Sequence, residues 1–244
     1  MLLVAIISVL APLQWSASLA GDGRFTTWLP RTFHRLACRV MGIVVDVHGS
    51  MNGGQTAWVA NHLSYLDIMA IGSIVQCSFV SKDEVRGWPI LGGLARLWGT
   101  VFISRTSRRA AAVGESLASA LATGRSLVVF PEGTSSDGTS VLPFKSSLFE
   151  TFVADSAASR ITLQPLTVSV TSIDGHAVDA SNRDMYAYHG AASLGPHLLR
   201  FLGTSGARIR LDFHAPVPTQ PGQSRKVLAN AARATVVSGL VGCA

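Results

Sequence analysis

Apolar and polar positions alternate along residues 43–213 in two rhythms. The runs IVVDVHG, TAWVAN, CSFVSK, TVFISR, SLVVFPEG, ITLQPLTVSV and ARIRLDFHAPV are short, rich in β-branched residues, and predict strands. Between most of them the apolar residues recur at helical spacing, over 66–75, 89–98, 109–122 and 145–158, and again over 223–240. Gly99 and Gly124 serve as helix stops. Strand and helix in alternation predict an α/β sandwich. Residues 173–190 are the least regular stretch, and no repeat, low-complexity block or linker divides the chain.

A different pattern precedes this one. MLLVAIISVLAPLQWSASLA, residues 1–20, holds no charged side chain, and Arg24, Arg31, Arg35 and Arg39 follow it. Residues 1–24 therefore predict a membrane anchor, although Pro12 and Gln14 make the run marginal for a full span, so that a half-inserted helix fits equally. A cleaved signal peptide is the minority reading, because a basic n-region is missing despite the ASLA ending. The arginines predict that the rest of the chain lies on the cytoplasmic side of the inner membrane. Over 25–42, Leu29, Phe33, Leu36 and Val40 recur at helical spacing with arginines between them. That stripe predicts an amphipathic helix at the interface, with packing on the core as an equal alternative.

Composition agrees with a folded chain that meets a membrane. Hydrophobic residues make up 48% and charged residues 14%, which excludes disorder. The net charge of +6 suits anionic lipid, an acidic carrier or nucleic acid. Nucleic acid is disfavoured, because the basic residues lack aromatic interleaving or a recognised motif. Cys38, Cys77 and Cys243 are far apart and form no CxxC pair, so neither a disulfide framework nor a metal site is expected.

The chemistry sits at predicted strand ends. In VANHLSYLDIMAIG, His62 and Asp67 stand between two apolar runs. Ser64 and Asp67 have the spacing of a capping box at the start of the helix, a structural role that would suffice for Asp67 alone. A histidine on the turn before the helix can also fold back on that carboxylate, which would fix its tautomer and leave the other ring nitrogen free to take a proton. LVVFPEGTSSDG places Glu132 and Gly133 directly after an apolar strand, followed by the hydroxyls of Thr134, Ser135 and Ser136, which suits an oxygen-rich ligand. GTVFISR ends on Arg105, a candidate clamp for phosphate or carboxylate. A polar turn and a solvated arginine are the ordinary alternatives for these two.

Taken in order, NHLSYLD, GTVFISR, FPEGTSS and QPLTVSV resemble the four blocks of the glycerolipid acyltransferase family typified by bacterial 1-acylglycerol-3-phosphate acyltransferase. The resemblance implies a mixed sheet flanked by helices over 43–244, behind an N-terminal anchoring helix. It implies that His62 is a general base oriented by Asp67, and that Arg105, Glu132, Gly133 and Thr134 hold the acceptor lipid. No cofactor is implied; an acyl carrier protein or coenzyme A thioester is the co-substrate, and a lysolipid hydroxyl is the acceptor. Neither a GxSxG elbow nor a placed cysteine offers a covalent route. Arg86, Arg96, Arg108, Arg109 and Arg125 are candidates to receive the carrier.

Two positions depart from the family blocks. Ser135 stands where the family has arginine, and PFKSSLF keeps Lys145 but lacks a second lysine often found after Phe. Fewer cations weaken the case for a bare phosphate, and the hydroxyls of Ser135 and Ser136 would suit a zwitterionic headgroup instead. With the anchor and YAYHGAASLGPHLLR, these features more closely resemble the lyso-ornithine-lipid acyltransferase branch. Two acceptors stay open, 1-acylglycerol-3-phosphate and lyso-ornithine lipid. A thioesterase-like hydrolase and a non-catalytic lipid-binding protein are the rival classes.

Overall fold

A computed structural model describes residues 2–21, 23–103, 110–154 and 161–240. Its strands are β1 (Ile43–Gly49), β2 (Thr56–Ala60), β3 (Ser78–Lys82), β4 (Val101–Ile103), β5 (Leu127–Val129), β6 (Thr162–Ile173), β7 (His176–Ala177) and β8 (Ala207–Phe213). They form one sheet in the order β1-β8-β6-β2-β5-β3-β4, with β7 beside β6. From β6 to β4 the neighbours run parallel, whereas β8 is antiparallel to β6 and carries β1 parallel to itself. The sheet is therefore mixed. Ala60 pairs with Leu166, so residues 167–173 of β6 continue past the end of β2 and leave a ledge above it.

Helices cover both faces. All five residues of β2 are buried, as expected for a central parallel strand. Trp58 and Ala60 face one cluster, with Leu66, Ala70 and Ile71 of α3 (Leu66–Ile74) and Phe33 and Ala37 of α2 (Gly23–Val40). Ala57 and Val59 face the other, with Leu117 and Leu121 of α5 (Ala110–Ala122) and Leu228, Ala232 and Val236 of α8 (Arg225–Ser238). The period of two in a strand makes this division automatic.

The apolar stripe of α2 is turned on the protein. Leu29 and Phe33 are buried, and the guanidinium Nε atoms of Arg31 and Arg35 reach Ser73 O near the end of α3 at 3.4 and 2.9 Å. The stripe packs on the core, where Gly72 lets the His34 ring lie in the place of a Cβ and the two helices close up. Helix α1 (Leu2–Ala20) lays Leu3, Ile6, Ile7 and Leu10 on the same core, and Gln14 Nε2 bonds Thr26 O and Leu97 O at 3.2 Å each. Gln14 therefore docks the helix on its neighbours. The opposite face, with Val9, Leu13, Trp15 and Leu19, is exposed, and the helix is long and apolar enough to cross a membrane.

Three local expectations change. Residues 145–158 do not make one helix: a 3-10 turn over Ser146–Phe149 leads into the short α6 (Glu150–Val153), and residues 155–160 lie outside the described residues. Helix α4 (Leu91–Leu97) is shorter than 89–98 because Pro89 and Ile90 form a tight turn before it. Residues 194–202, for which no helix was expected, form α7 (Leu194–Leu202). Gly195 and Pro196 mask it in the sequence, yet proline is tolerated in a first turn, where its missing N–H has no acceptor.

Candidate active site

Two neighbouring parallel strands deliver the site. β2 and β5 end side by side, and the loops that leave them, 61–65 and 130–144, meet on the ledge of β6. Asn61 fastens the first loop to that ledge, donating Nδ2 to Val168 O at 2.9 Å and accepting Val168 N at 2.8 Å. The second loop grips the backbone of His62 from both sides: His62 N donates to Glu132 Oε1 at 2.7 Å, and Ser136 N donates to His62 O at 2.9 Å.

The imidazole then faces the helix that follows. His62 Nδ1 lies 2.9 Å from Asp67 Oδ2, and the ring stacks on Phe130 at 4.0 Å. An ionised carboxylate only accepts, so Nδ1 carries the proton and Nε2 is the basic nitrogen. Asp67 is 0% exposed while the His62 side chain is 19% exposed, which leaves an edge of the ring open to a reactant. Asp67 Oδ2 also accepts Leu63 N and Ser64 N at 2.7 and 3.0 Å, and Oδ1 accepts the Tyr186 hydroxyl at 2.8 Å. Only half of the expected capping box forms: the carboxylate reaches back, but Ser64 Oγ has no partner among the described residues. The arrangement is a base with a fixed tautomer and a buried anion behind it.

Three of the expected ligand contacts are engaged within the protein. Glu132 is 3% exposed and its second oxygen accepts Leu142 N at 2.9 Å, so its carboxylate ties two loops together and does not open to a ligand. Burial pushes it up to about 7, against the pull of the Leu142 and His62 amides. Ser135 Oγ donates to Tyr188 O, and Ser136 lies against His62 O, so neither hydroxyl is turned to a headgroup. Arg105 lies outside the described residues, as do Arg108, Arg109 and Cys243. Gly133, Thr134 and Lys145 do come together. Gly133 has φ +68°, a Cβ there would collide with Lys145 Nζ, and Thr134 is exposed beside it. The Cys38 and Cys77 thiols are pushed up by burial, Cys38 to about 11, and stay protonated.

Sequence reasoning missed the aromatic wall of the site. Tyr186, Tyr188 and His197 come from the irregular stretch after β6 and from α7. Tyr188 N donates to Leu63 O at 2.8 Å, and the Tyr65 hydroxyl lies 3.0 Å from His197 Nδ1. Their one signal was the tyrosine pair in YAYHG, since buried tyrosines need a partner for the hydroxyl. Beside the wall a cavity of about 280 Å³ is lined by Leu63, Gly138, Val168, Val170, Val178 and Tyr186.

A family model described as Acyltransferase matches residues 44–169. The chain is 37% identical over 231 residues to a lyso-ornithine lipid O-acyltransferase of Rhizobium meliloti, covering 93% of this chain and 79% of that protein. It is 33% identical over 250 residues to a protein of the same description from Brucella abortus, with 98% and 93% covered. Among solved structures, the 1-acyl-sn-glycerophosphate (LPA) acyltransferase PlsC of Thermotoga maritima has the same fold, with a TM-score of 0.56 at 20% identity over 98% of this chain and 96% of that one.

Proposed function

We propose, from the premise that this chain belongs to the acyltransferase family, that it moves a fatty acyl group from an acyl thioester to the hydroxyl of a lysolipid at a membrane. The observation that carries the mechanism is the 2.9 Å pair of His62 Nδ1 and buried Asp67, with the ring edge open to solvent. His62 Nε2 takes the proton of the acceptor hydroxyl as its oxygen attacks the thioester carbonyl. Asp67 stabilises the imidazolium that results. When the tetrahedral intermediate collapses, the C–S bond breaks and the imidazolium returns its proton to the thiolate. A thiol is a good leaving group, so this single base suffices and no acyl-enzyme is needed. The donor is an acyl carrier protein or coenzyme A thioester.

Membrane association rests on α1, whose outward face of Val9, Leu13, Trp15 and Leu19 is exposed among the described residues. Trp28 of α2 and Trp88 and Ile90 ahead of α4 are also exposed, and α1 packs on both helices. The arginines after α1 favour the inner membrane with the site facing the cytoplasm.

For the acceptor, lyso-ornithine lipid is the reading best supported. Both relatives above are described by it, and Ser135 stands where an arginine would add a charge for a phosphate monoester. The serine hydroxyl is engaged by Tyr188 O, and its small side chain lets the Tyr186–Tyr188 segment close on the loop. Purified protein supplied with labelled acyl thioester should use lyso-ornithine lipid at least as well as 1-acylglycerol-3-phosphate. Ser135→Arg should shift the kcat/KM ratio toward the phosphate. Exclusive use of 1-acylglycerol-3-phosphate, with the ratio unmoved in Ser135→Arg, would replace this acceptor, and release of free fatty acid without any acceptor would replace transfer by hydrolysis.

A further inference from the structure

Among the described residues, four hydrogen bonds reach the Asp67 carboxylate, and they divide unevenly between its oxygens. Oδ2 accepts three, all from residues 62–64 of the same loop, whereas Oδ1 accepts one, from Tyr186. The three are local products of the turn before α3. The fourth spans 119 residues and comes from beyond the stretch that the family model matches. Tyr186 is 1% exposed, its ring packs edge-on to Phe201 of α7 at 6.1 Å, and its backbone N bonds Arg183 O at 3.0 Å. The hydroxyl is thus held at Oδ1. Burial and the adjacent carboxylate push the phenol well above its usual range, so it remains a donor.

We propose that Tyr186 is a positioning residue for the transfer reaction: by holding Oδ1 it sets the plane of the Asp67 carboxylate and takes up part of its charge, so that Oδ2 stays aimed at His62 Nδ1. This rests on the dyad reading above. A buried carboxylate oxygen without a donor costs free energy and invites rotation about the Cβ–Cγ bond. Relieved of Tyr186, the carboxylate would also give more of its charge to the imidazolium, which would then hold its proton to higher pH. Other titratable groups surround this cluster: Glu132 from the loop after β5, Tyr65 from the dyad loop, Cys38 from α2, and, through Tyr65, His197 of α7 and Tyr188. A single pH limb therefore reports several groups, and the test compares variants.

Tyr186→Phe keeps the ring and removes the donor. In the full-length protein it should melt cooperatively, lower kcat about tenfold, the scale of a hydrogen bond to a charged group, and leave the acceptor KM unchanged. The acid limb of the kcat/KM profile should move to higher pH. In an Asp67→Asn background the same change should cost less than about twofold, because a residue that acts through Asp67 has nothing left to act on. Additive losses in the double variant, an unmoved acid limb, or loss of the cooperative melt would each overturn the proposal in favour of a scaffolding role. His62→Ala run alongside separates the two levels: if that variant keeps its activity the dyad reading itself fails, and if it is inactive while the double variant is additive, only the role of Tyr186 fails.

Discussion

Helix α3 is bracketed by two histidines, His62 half-buried and His34 buried, that the protein uses in opposite ways. At its N-terminal end, His62 faces Asp67 in the first turn, a place where the helix dipole favours an anion. Near its C-terminal end, His34 of α2 lies over Gly72 among the rings of Phe33, Phe79 and Trp98, at 5.6 to 6.0 Å. Burial pushes His34 down to about 4, so it is neutral and serves as a packing piece. The charges beside it, Arg31 and Arg35, bond Ser73 O, where the dipole favours cations. What an imidazole does is set by what shares its burial: a carboxylate makes it a base, and apolar rings keep it inert.

The sharpest way to break this contrast is to remove each histidine. His62→Ala should lower acyl transfer roughly 100-fold or more, the usual loss of a general base, while the variant still pellets with membranes. His34→Leu should leave kcat/KM within about twofold of wild type, since it removes a ring packed among aromatics and bonded to the Gly72 backbone, away from the reacting groups. If the two variants lose activity alike, the contrast is void.

Acid pH should separate them next. His34 titrates near 4 in the folded chain against 6.5 for the free side chain, so the unfolded chain takes up the proton first as pH falls. The stability held by neutral His34 is full above about pH 6.5 and is lost as pH falls through about 4, up to roughly 3 kcal/mol. Glu132 works the other way, because its folded value of about 7 lies above 4.5 and the folded chain protonates first. Melts of His34→Leu and wild type between pH 7 and 4 cancel the Glu132 contribution, and the gap should move in favour of the variant toward low pH. A gap that stays constant would mean that His34 is not held neutral.

The smallest effect tests the cation end of the helix. Arg35→Ala removes the 2.9 Å contact to Ser73 O and should cost about 0.5 to 1 kcal/mol in a melt, with acyl transfer unchanged. A matching loss of activity would mean that strain at one end of α3 reaches the dyad at the other.

Much of the site was legible because its parts are local. His62 and Asp67 belong to one turn and one helix start, and Glu132, Gly133 and Thr134 to one strand end, so their place in the fold reads off a few consecutive letters. The strands and most helices were legible for the same reason, as short-range periodicity. The Tyr186 bond to Asp67 was not, nor was Ser135 holding Tyr188, because each partner is distant in sequence, and Glu132 holding Leu142 within one loop was not either, because hydrogen bonding leaves no periodic trace.

Hydrophobic patterning determined that this chain has an apolar N-terminal helix and an α/β body, and the resemblance of its motifs singled out His62 and Asp67 at a strand end. Which way the faces turn was left to the tertiary structure. The stripe of α2 had the same composition whether it met lipid or core, and the tertiary structure packs it on the core, with a close approach at Gly72. Burial likewise sorted the polar residues, because the hydrophobic effect is non-directional whereas each buried polar atom needs a partner at a particular place. Glu132 and Ser135, which looked like ligand contacts, became ties within the protein, and Tyr186, drawn from the least regular stretch, became a donor to the carboxylate behind His62.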